Sequence, residues 1–422
     1  MVRRTPTIRF GLALLLALPL VAACNNEAIM PPVAVDPMFV RYASLGNSLT
    51  AGLQSGGMND STQLEAYPVL LAQAMETDFV VPLLRSPGCP GPYINIFAQT
   101  RVGGAGAPPC ALRIGPAPTR INQLGIPGAE IIEFFNYFDP GVIPSSTDAY
   151  KTFLLGGLTP VQWARKIRPT FVTIAAGSND LLGAGLDENN PGDPDLVTPP
   201  AEFAASYDAL LDSLDAIGSI EGGVLIGVQP IVFASLVPSV TYFSPGAAWQ
   251  QFEVVFDGMT APLNALDVNA ACATAYVPFP IGGGALALAQ ARVDSVLGGL
   301  LAPQDLVTVE ITCADDQAIT AAEMQNLVAA AAQYNLHIQQ AAADRGWAYF
   351  DPAPVFNNLA PVAGAFRPFP AFLPSDPQHE TQPFGFAVSR DGIHWNALMH
   401  EAIAAALIDA INSYYETDLE MP

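Results

Sequence analysis

The sequence predicts an α/β fold, a three-layer α/β/α sandwich built around a parallel sheet. Short segments with strand character alternate with helical patterns along most of the chain. The strand segments are predominantly apolar, which is typical of strands that are buried on both faces. Alternation of this kind places helices on both faces of one sheet. The predicted strands are 39–45, 170–176, 223–228 and 348–351, and the predicted helices are 65–75, 129–136, 201–217, 320–344 and 396–415.

Composition limits the classes of protein to which the chain can belong. Of 422 residues, 51% are hydrophobic and 13% are charged, which excludes a globally disordered chain. Lys and Arg total 16 against 39 Asp and Glu, so the formal charge is -23. A field of that sign repels a phosphate backbone, and we therefore expect no nucleic-acid partner.

The N-terminal segment has the pattern of an export signal. Arg3, Arg4 and Arg9 precede an unbroken apolar run over residues 10–23, as in the basic and hydrophobic regions of a secretory signal. The run is too short to span a bilayer comfortably. Residues 1–23 are therefore predicted to be a signal peptide rather than part of the fold.

The end of this signal resembles the bacterial lipobox. It reads Leu20-Val21-Ala22-Ala23-Cys24, and the resemblance implies cleavage before Cys24 and lipidation of that cysteine. The alternative is an ordinary signal peptide with a coincidental cysteine. Cleavage would remove three arginines and no acidic residue, which changes the formal charge from -23 to -26. We expect an exported lipoprotein anchored to a membrane. Asn25 rather than Asp follows the cysteine, which favours the outer membrane, on its periplasmic or cell-surface face.

Domain organisation follows from the same patterns. Residues 24–37 carry three prolines and no periodicity, which indicates a tether. Residues 38–422 are predicted to form one domain, with insertions near 80–120 and 241–305. The second insertion contains an Ala/Leu-rich run that fits a core helix better than a lid or an acyl-chain contact surface.

The remaining cysteines form an even set once Cys24 is assigned to the lipid. They are Cys89, Cys110, Cys272 and Cys313. Proximity along the chain favours pairing 89 with 110 and 272 with 313, each bond contributing roughly 3 kcal/mol, although four cysteines allow three pairings. A zinc site is not favoured because no CxxC spacing and no neighbouring histidine accompanies them.

A candidate nucleophile follows the first predicted strand. The chain reads Gly46-Asn47-Ser48-Leu49 at this point, so Ser48 lies between a strand and a helix start. Backbone N–H groups at a helix start favour developing negative charge, and ligand sites in open parallel sheets lie at the carboxyl ends of strands. Taken alone, the motif also fits a structural turn.

Two further motifs offer hydrogen-bond donors. Asn179, in Gly177-Ser178-Asn179-Asp180, directly follows the strand 170–176, and its amide can donate to an oxyanion. Gly128 precedes a predicted helix, where a glycine lets a backbone N–H approach a ligand closely. An Asx turn is the structural alternative for the first motif.

A carboxylate and a histidine lie together near the C-terminus. Asp391 is three residues before His394, with Gly392 between them, so the carboxylate can reach the imidazole Nδ1 and fix its tautomer. The Nε2 atom is then free to accept a proton from a serine. The other three histidines lack such an arrangement.

Together, these four segments resemble the SGNH, or GDSL, family of serine hydrolases. Gly46-Asn47-Ser48-Leu49 matches the first block of the family, Gly128 the second, Asn179 the third, and Asp391 with His394 the final Asp-x-x-His. The order matches, and the set spans most of the chain. Asn47 departs from the pattern, because the GDSL signature has Asp there.

The resemblance implies a fold, a mechanism and a site. The fold is a flavodoxin-like sheet of about five parallel strands. Ser48 would be the nucleophile, His394 the general base and acid, and Asp391 the residue that orients the histidine. Ser48 N–H, Gly128 N–H and the Asn179 side chain would form the oxyanion hole. The implied chemistry requires no metal and no organic cofactor.

An acidic loop follows the third block. Residues 187–195 contain four carboxylates and two asparagines, but the spacing does not follow the twelve-residue calcium loop. We therefore predict no metal site there.

The sequence thus predicts a lipid-anchored serine esterase or lipase-like enzyme acting on a small-molecule or lipid ester. Lipids, short-chain acyl esters and acetylated glycans remain open as substrates. The alternative is a non-catalytic surface lipoprotein of the same fold that binds glycan or a partner protein.

Overall fold

The central sheet of the computed structural model has five strands, all parallel, which we label in chain order. They are β1 (Tyr42–Gly46), β2 (Gln123–Gly125), β3 (Phe171–Ala175), β4 (Gly222–Ile226) and β5 (Ala348–Phe350). Their spatial order is β5-β4-β3-β1-β2, which is the flavodoxin-like order. The chain places β2 on one side of β1 and then adds β3, β4 and β5 on the other side. The predicted fold class is confirmed.

The structure describes residues 34–106, 110, 113–114, 118–136, 148–229, 236–238, 253–254, 263–314, 316–367, 370–372 and 376–422. The predicted signal peptide, the lipobox with Cys24 and most of the tether lie outside these residues.

Eleven α-helices are labelled in chain order within the described residues. They are α1 (Ser48–Ala51), α2 (Asp60–Leu64), α3 (Tyr67–Ala74), α4 (Asp148–Leu155), α5 (Pro160–Ile167), α6 (Asn179–Leu186), α7 (Pro200–Asp215), α8 (Phe279–Leu297), α9 (Ala321–Arg345), α10 (Ala353–Leu359) and α11 (Ala397–Tyr415). Short strands outside the central sheet are Tyr93–Asn95, Thr100–Arg101, Leu236–Pro238, Glu253–Val254, Leu263–Asn264, Leu266–Val268, Tyr276–Pro278 and Val309–Ile311.

Helices cover both faces of the sheet because successive strand side chains point to opposite faces. On one face, α5, α6, α7 and α9 pack against alternate strand residues such as Val172 and Ile174. On the other face, α3 and α11 pack against Tyr42, Phe171 and Val224. The two faces have separate hydrophobic clusters, and the sheet is buried between them.

The predicted helix over 129–136 is wrong in length and type. The structure has a single 3-10 turn at Ile131–Phe134. The backbone leaves the helical region on both sides of this turn: Glu130 is extended, with a ψ of 164°, and Phe135 has a φ of -131°. Side chains from α6 bind the start of the turn, since Asn179 Nδ2 donates to Ala129 O and Asp180 accepts from Ile131 N. The strand β2 was also missed as an individual prediction, because three residues at a sheet edge give too short a pattern.

The second insertion forms a hydrophobic cluster of its own. The inner face of α8, with Leu286, Ala289 and Val293, packs there on the paired strands Leu266–Val268 and Val309–Ile311. The inner face of this Ala/Leu-rich helix is therefore core, whereas Leu297 at its end is 65% exposed.

Both insertions carry a disulfide bond. Cys89 is bonded to Cys110, and Cys272 to Cys313, which is the pairing that chain proximity favours. Each bond closes a long connection to the sandwich and so restricts the unfolded chain. In the described part of the chain, no helix is long and apolar enough to cross a membrane.

Candidate active site

Ser48 is the first residue of α1, directly after β1. The side chain of Asn47 caps this helix by accepting a hydrogen bond from Leu49 N at 3.1 Å. Since Asn and Asp are both good caps, the departure from the GDSL signature preserves this function. A Cβ on Gly46 would lie 1.9 Å from Thr50 Oγ1, so glycine is required where the helix turns back on the strand.

The nucleophile helix also lies tightly against the neighbouring strand. A Cβ on Gly125, the last residue of β2, would lie 2.4 Å from Ala51 N. Beneath the helix, Thr50 Oγ1 shares a hydrogen bond of 2.8 Å with the buried Tyr67 OH on α3. These contacts fix α1, and with it the position of Ser48, which is only 8% exposed.

His394 is hydrogen-bonded to both of its predicted partners. Its Nε2 lies 3.0 Å from Ser48 Oγ, and its Nδ1 lies 2.7 Å from Asp391 Oδ2. Three residues separated by as many as 346 positions therefore form one continuous relay. The distances allow a proton to move from the serine to the imidazole while the carboxylate holds the opposite nitrogen.

The Asp391 carboxylate is held by several donors besides the imidazole. Its Oδ1 accepts hydrogen bonds of 2.9 Å from Ser389 Oγ, Ile393 N and His394 N. Its Oδ2 also accepts from Gly56 N, on the loop after α1. The carboxylate is therefore saturated with hydrogen bonds and cannot rotate freely.

These hydrogen-bond donors determine the charge of the Asp391 carboxyl group. Burial alone would raise the pKa of Asp391, but the attraction of His394 and the hydrogen bonds to the carboxylate outweigh it. The pKa of Asp391 is held well below its usual range. Asp391 is therefore ionised at any pH at which the enzyme would work, as stabilisation of an imidazolium requires.

Sequence reasoning missed the residues that hold Asp391. Ser389 Oγ accepts from Ser55 N at 2.8 Å, and Ser55 Oγ accepts from Arg390 N at 3.1 Å. Ser55 has a φ of 53°, in the left-handed region. No sequence motif marks this loop, because most of its donors are backbone groups that any residue supplies.

The predicted oxyanion-hole residues all follow strands that are neighbours in the sheet. Ser48 follows β1, Gly128 follows β2 and Asn179 follows β3. Gly128 has a φ of 80°, which glycine adopts without strain. Asn179 donates one amide hydrogen to Ala129 O at 2.8 Å, so its second hydrogen remains for a ligand. The structure places all three at the carboxyl edge of the sheet.

A second buried carboxylate lies beside Asn179. Asp180 is 1% exposed, and its Oδ2 accepts a hydrogen bond of 3.0 Å from Ile131 N. Burial raises the pKa of Asp180 to about 7, against the opposing effects of the Ile131 N–H and the nearby Thr198 side chain. The sequence by itself does not predict a function for this residue.

The other three histidines are engaged elsewhere. His337 pairs with Asp208, and His379 Nδ1 lies 3.0 Å from Ala371 O. His400 is fully buried; burial, with the nearby charge of His394, lowers its pKa to about 3. Among these residues, His394 alone is placed to act on Ser48.

The sheet order, the nucleophile after β1 and the Asp-x-x-His relay occur together in one arrangement. The chain has the SGNH hydrolase fold. The four SGNH sequence blocks, separated by long stretches of chain, meet at one edge of the sheet. The two insertions of this chain follow β1 and β4.

Comparison with known proteins finds similarity to solved structures at low sequence identity. No family model matches the sequence, and no curated protein matches it significantly. Similar solved structures include two variants of Axe2 from Geobacillus stearothermophilus, an enzyme described as an acetyl-xylooligosaccharide esterase and as an acetylxylan esterase. Their identities are 12% and 13%, their TM-scores are 0.35 and 0.34, and each match covers 88% of this chain and 93% of that chain.

A third similar structure is an active-site mutant of a family two carbohydrate esterase from Clostridium thermocellum. It is 12% identical, with a TM-score of 0.25, and the match covers 72% of this chain and 64% of that chain. Because all three TM-scores lie below 0.5, these similarities carry no weight for the substrate of this chain.

Within the described residues, no group of three or more His, Cys, Asp or Glu side chains is arranged to hold a metal ion. In the acidic loop, Asp187 accepts hydrogen bonds of 2.7 Å from Asn189 N and Asn190 N. These bonds close the loop on itself as a turn.

Proposed function

We propose that this protein is a serine hydrolase that cleaves carboxylic esters through an acyl-enzyme on Ser48. The observation that carries the proposal is the continuous relay from Ser48 Oγ through His394 to Asp391, with distances of 3.0 and 2.7 Å. A binding protein has no need of a nucleophile, a base and an orienting carboxylate in hydrogen-bonding series.

The reaction follows from the positions of these groups. Ser48 Oγ attacks the ester carbonyl as its proton passes to His394 Nε2, and Asp391 stabilises the resulting imidazolium. The oxyanion accepts hydrogen bonds from Ser48 N, Gly128 N and the Asn179 amide, each worth roughly 3 kcal/mol in the transition state. The alkoxide leaves with the proton from His394, and a water molecule then attacks the acyl-enzyme with His394 again as base.

The substrate belongs to the carboxylic esters, and three classes are compatible with the site. They are lipids, short-chain acyl esters and acetylated glycans. The net charge of -23 disfavours anionic headgroups, because like charges repel a ligand before it reaches the site.

Ester turnover by the full-length protein, purified in detergent, tests the enzymatic proposal. Rates are measured on p-nitrophenyl esters of two to sixteen carbons for wild type, Ser48→Ala and the exposed-surface control Ser61→Ala. We expect the first variant to lose about 10³-fold or more in kcat, and the control to keep wild-type rates. The preferred acyl length separates deacetylase-like from lipase-like activity.

An inactive wild type would contradict the proposal, provided that a fluorophosphonate probe also fails to label Ser48. That result would favour a non-catalytic surface lipoprotein that binds glycan or a partner protein. Labelling without ester turnover would instead show that Ser48 is reactive and that its substrate is an ester outside the set assayed.

We further propose that the protein is exported and held at the outer membrane by lipid on Cys24. Support comes from the basic and apolar N-terminal run that ends in Leu20-Val21-Ala22-Ala23-Cys24. Metabolic labelling with an alkynyl fatty acid tests this proposal. Wild type should be labelled and sediment with membranes, whereas Cys24→Ser should do neither; equal labelling of both would contradict it.

A further inference from the structure

The donors of the proposed oxyanion hole come from separate segments of the chain, so their relative positions must be fixed by contacts between these segments. Gly128 lies on the loop after β2, and Asn179 begins the helix after β3. Oxyanion-hole donors are effective only when they are preorganised toward one point. A contact between these two segments therefore controls how accurately the donors are aligned on the oxyanion.

Two adjacent side chains make that contact. Asn179 Nδ2 donates to Ala129 O at 2.8 Å, and Asp180 Oδ2 accepts from Ile131 N at 3.0 Å. The two hydrogen bonds are made to the peptide groups on either side of Glu130. Together they fix the position and the orientation of the backbone that directly follows Gly128.

Neither bond can be replaced by solvent. Asp180 and Ile131 are each 1% exposed, and Ala129 is fully buried. Loss of the carboxyl would leave the Ile131 N–H without an acceptor in a region closed to water, and the segment would shift to find one. On its other side, the Asp180 backbone is fixed by Thr198 N, which donates to Asp180 O at 3.0 Å.

We propose that Asp180 is a positioning residue for the oxyanion hole, which holds the Gly128 segment against α6 so that Gly128 N and the Asn179 amide aim at one oxygen. This inference rests on the proposed esterase function. Asp180 acts as a hydrogen-bond acceptor for Ile131 N, and a neutral amide oxygen of the same shape can serve equally.

A pair of substrates separates this function from a merely structural one. O-p-nitrophenyl thionoacetate carries C=S in place of the C=O of p-nitrophenyl acetate, and sulfur is a weak hydrogen-bond acceptor. Damage to the oxyanion hole therefore slows the oxygen ester selectively. General destabilisation, or damage to the relay, slows both substrates alike.

For the full-length protein in detergent, we expect Asp180→Ala to lower kcat on the oxygen ester about 30- to 100-fold, with KM changed by less than about 3-fold. The thionoester rate should fall by less than about 3-fold. Asp180→Asn should restore oxygen-ester kcat to within about 3-fold of wild type, since it keeps the acceptor.

A matched control comes from the opposite edge of the sheet. Asn122, just before β2 begins, is likewise buried, with 2% exposed; its Oδ1 accepts from Val80 N and its Nδ2 donates to Tyr42 O. Asn122→Ala removes a comparable buried bridge between loops, but the site is at the other end of the strand. Its oxygen-ester to thionoester ratio should stay at the wild-type value.

A second pair of variants applies if Asp180→Ala does not fold. Ile131 is the first residue of its 3-10 turn, and Glu130 before it has an extended ψ of 164°, so proline is tolerated there. Ile131→Pro deletes the N–H that Asp180 accepts, whereas Ile131→Ala removes similar packing but keeps it. The ratio of the two esters should fall in the proline variant and not in the alanine variant.

The outcomes are distinct. If wild type cleaves neither ester, the proposed function itself fails. If wild type is active and the oxygen-ester to thionoester ratio is unchanged in both Asp180→Ala and Ile131→Pro, the esterase proposal stands and the positioning function of Asp180 is overturned. Failure of Asp180→Asn to rescue would also overturn it, because the acceptor would then not be the feature that matters.

Discussion

Asp391 and Asp180 are both buried carboxylates at the carboxyl edge of the sheet, yet their pKa values are shifted in opposite directions. Asp391 receives hydrogen bonds from several donors and faces the His394 imidazole, and its pKa is held well below the usual range. Asp180 accepts a hydrogen bond of 3.0 Å from Ile131 N, and burial raises its pKa to about 7.

Burial does not by itself set the charge of a carboxyl group. Desolvation raises both pKa values, and the hydrogen-bond donors and the neighbouring side chains decide the outcome. Asp391, which must be charged, faces the His394 imidazole and accepts hydrogen bonds at both of its oxygens. Asp180, which acts as an acceptor, accepts from the backbone N–H of Ile131.

The largest expected effect is loss of the charged member of the pair. Asp391→Asn keeps the shape but cannot stabilise the imidazolium, and an amide nitrogen turned toward Nδ1 would favour the wrong tautomer. We expect kcat to fall about 10⁴-fold with little change in KM, as measured on p-nitrophenyl acetate.

Asp187→Asn is a suitable control for that variant, because Asp187 lies in a surface loop and makes only local hydrogen bonds. Wild-type rates are expected for it. An Asp391→Asn protein with more than about a tenth of wild-type kcat would show that the carboxylate charge is not needed.

The second expected effect is on stability, through Asp180. A carboxyl whose folded pKa exceeds its unfolded value binds protons on folding, so its contribution to stability is present at low pH and is lost as pH rises toward the folded pKa. With a folded pKa of about 7 against an ordinary 3.8, the loss extends from about pH 4 to about pH 7.

Urea unfolding of wild type and Asp180→Asn at pH 5.5 and pH 8.5 measures this effect. Wild type should lose about 2 kcal/mol more than the variant between these pH values. Parallel pH dependence of the two proteins would show that Asp180 titrates normally. Asp391 has the opposite sign, since its lowered pKa gives stability at neutral pH that is lost as the pH falls.

The smallest expected effect is removal of one donor from Asp391. Ser389→Ala deletes the hydrogen bond to Oδ1 and leaves Ser55 N without its acceptor. The other donors remain, so we expect kcat to fall by only about 5- to 10-fold, equivalent to roughly 1 kcal/mol. A loss as large as that of Asp391→Asn would mean that the donors act as one unit rather than independently.

The sequence predicts the triad because each member carries its own chemical signal. Serine after a strand, and Asp-x-x-His before a helix, are informative wherever they occur, and four of the five sheet strands lie in predominantly apolar segments. The helix predicted at 129–136 is wrong because Glu130 is extended and Phe135 is not helical, which leaves a single turn between them. The segment is held by contacts from Asn179 and Asp180, which lie about fifty positions away in the chain and leave no mark in its own pattern.

What the sequence does not predict are contacts made by backbone groups over long separations. Gly56 N and Ser55 N reach the Asp391 region across 335 and 334 positions. An N–H is present in almost every residue, so its use leaves no mark in composition or spacing. Asp180 was missed because Asn179 beside it already explained the motif.

The wide separation of Ser48 from His394 also sets when the chemistry can begin. A ribosome makes the serine, its strand and its helix more than three hundred residues before it makes the base. Until the segment with Asp391 and His394 docks beside the loop after α1, the chain carries an unactivated hydroxyl. Any fragment that stops short of that segment lacks both the base and the carboxylate that orients it.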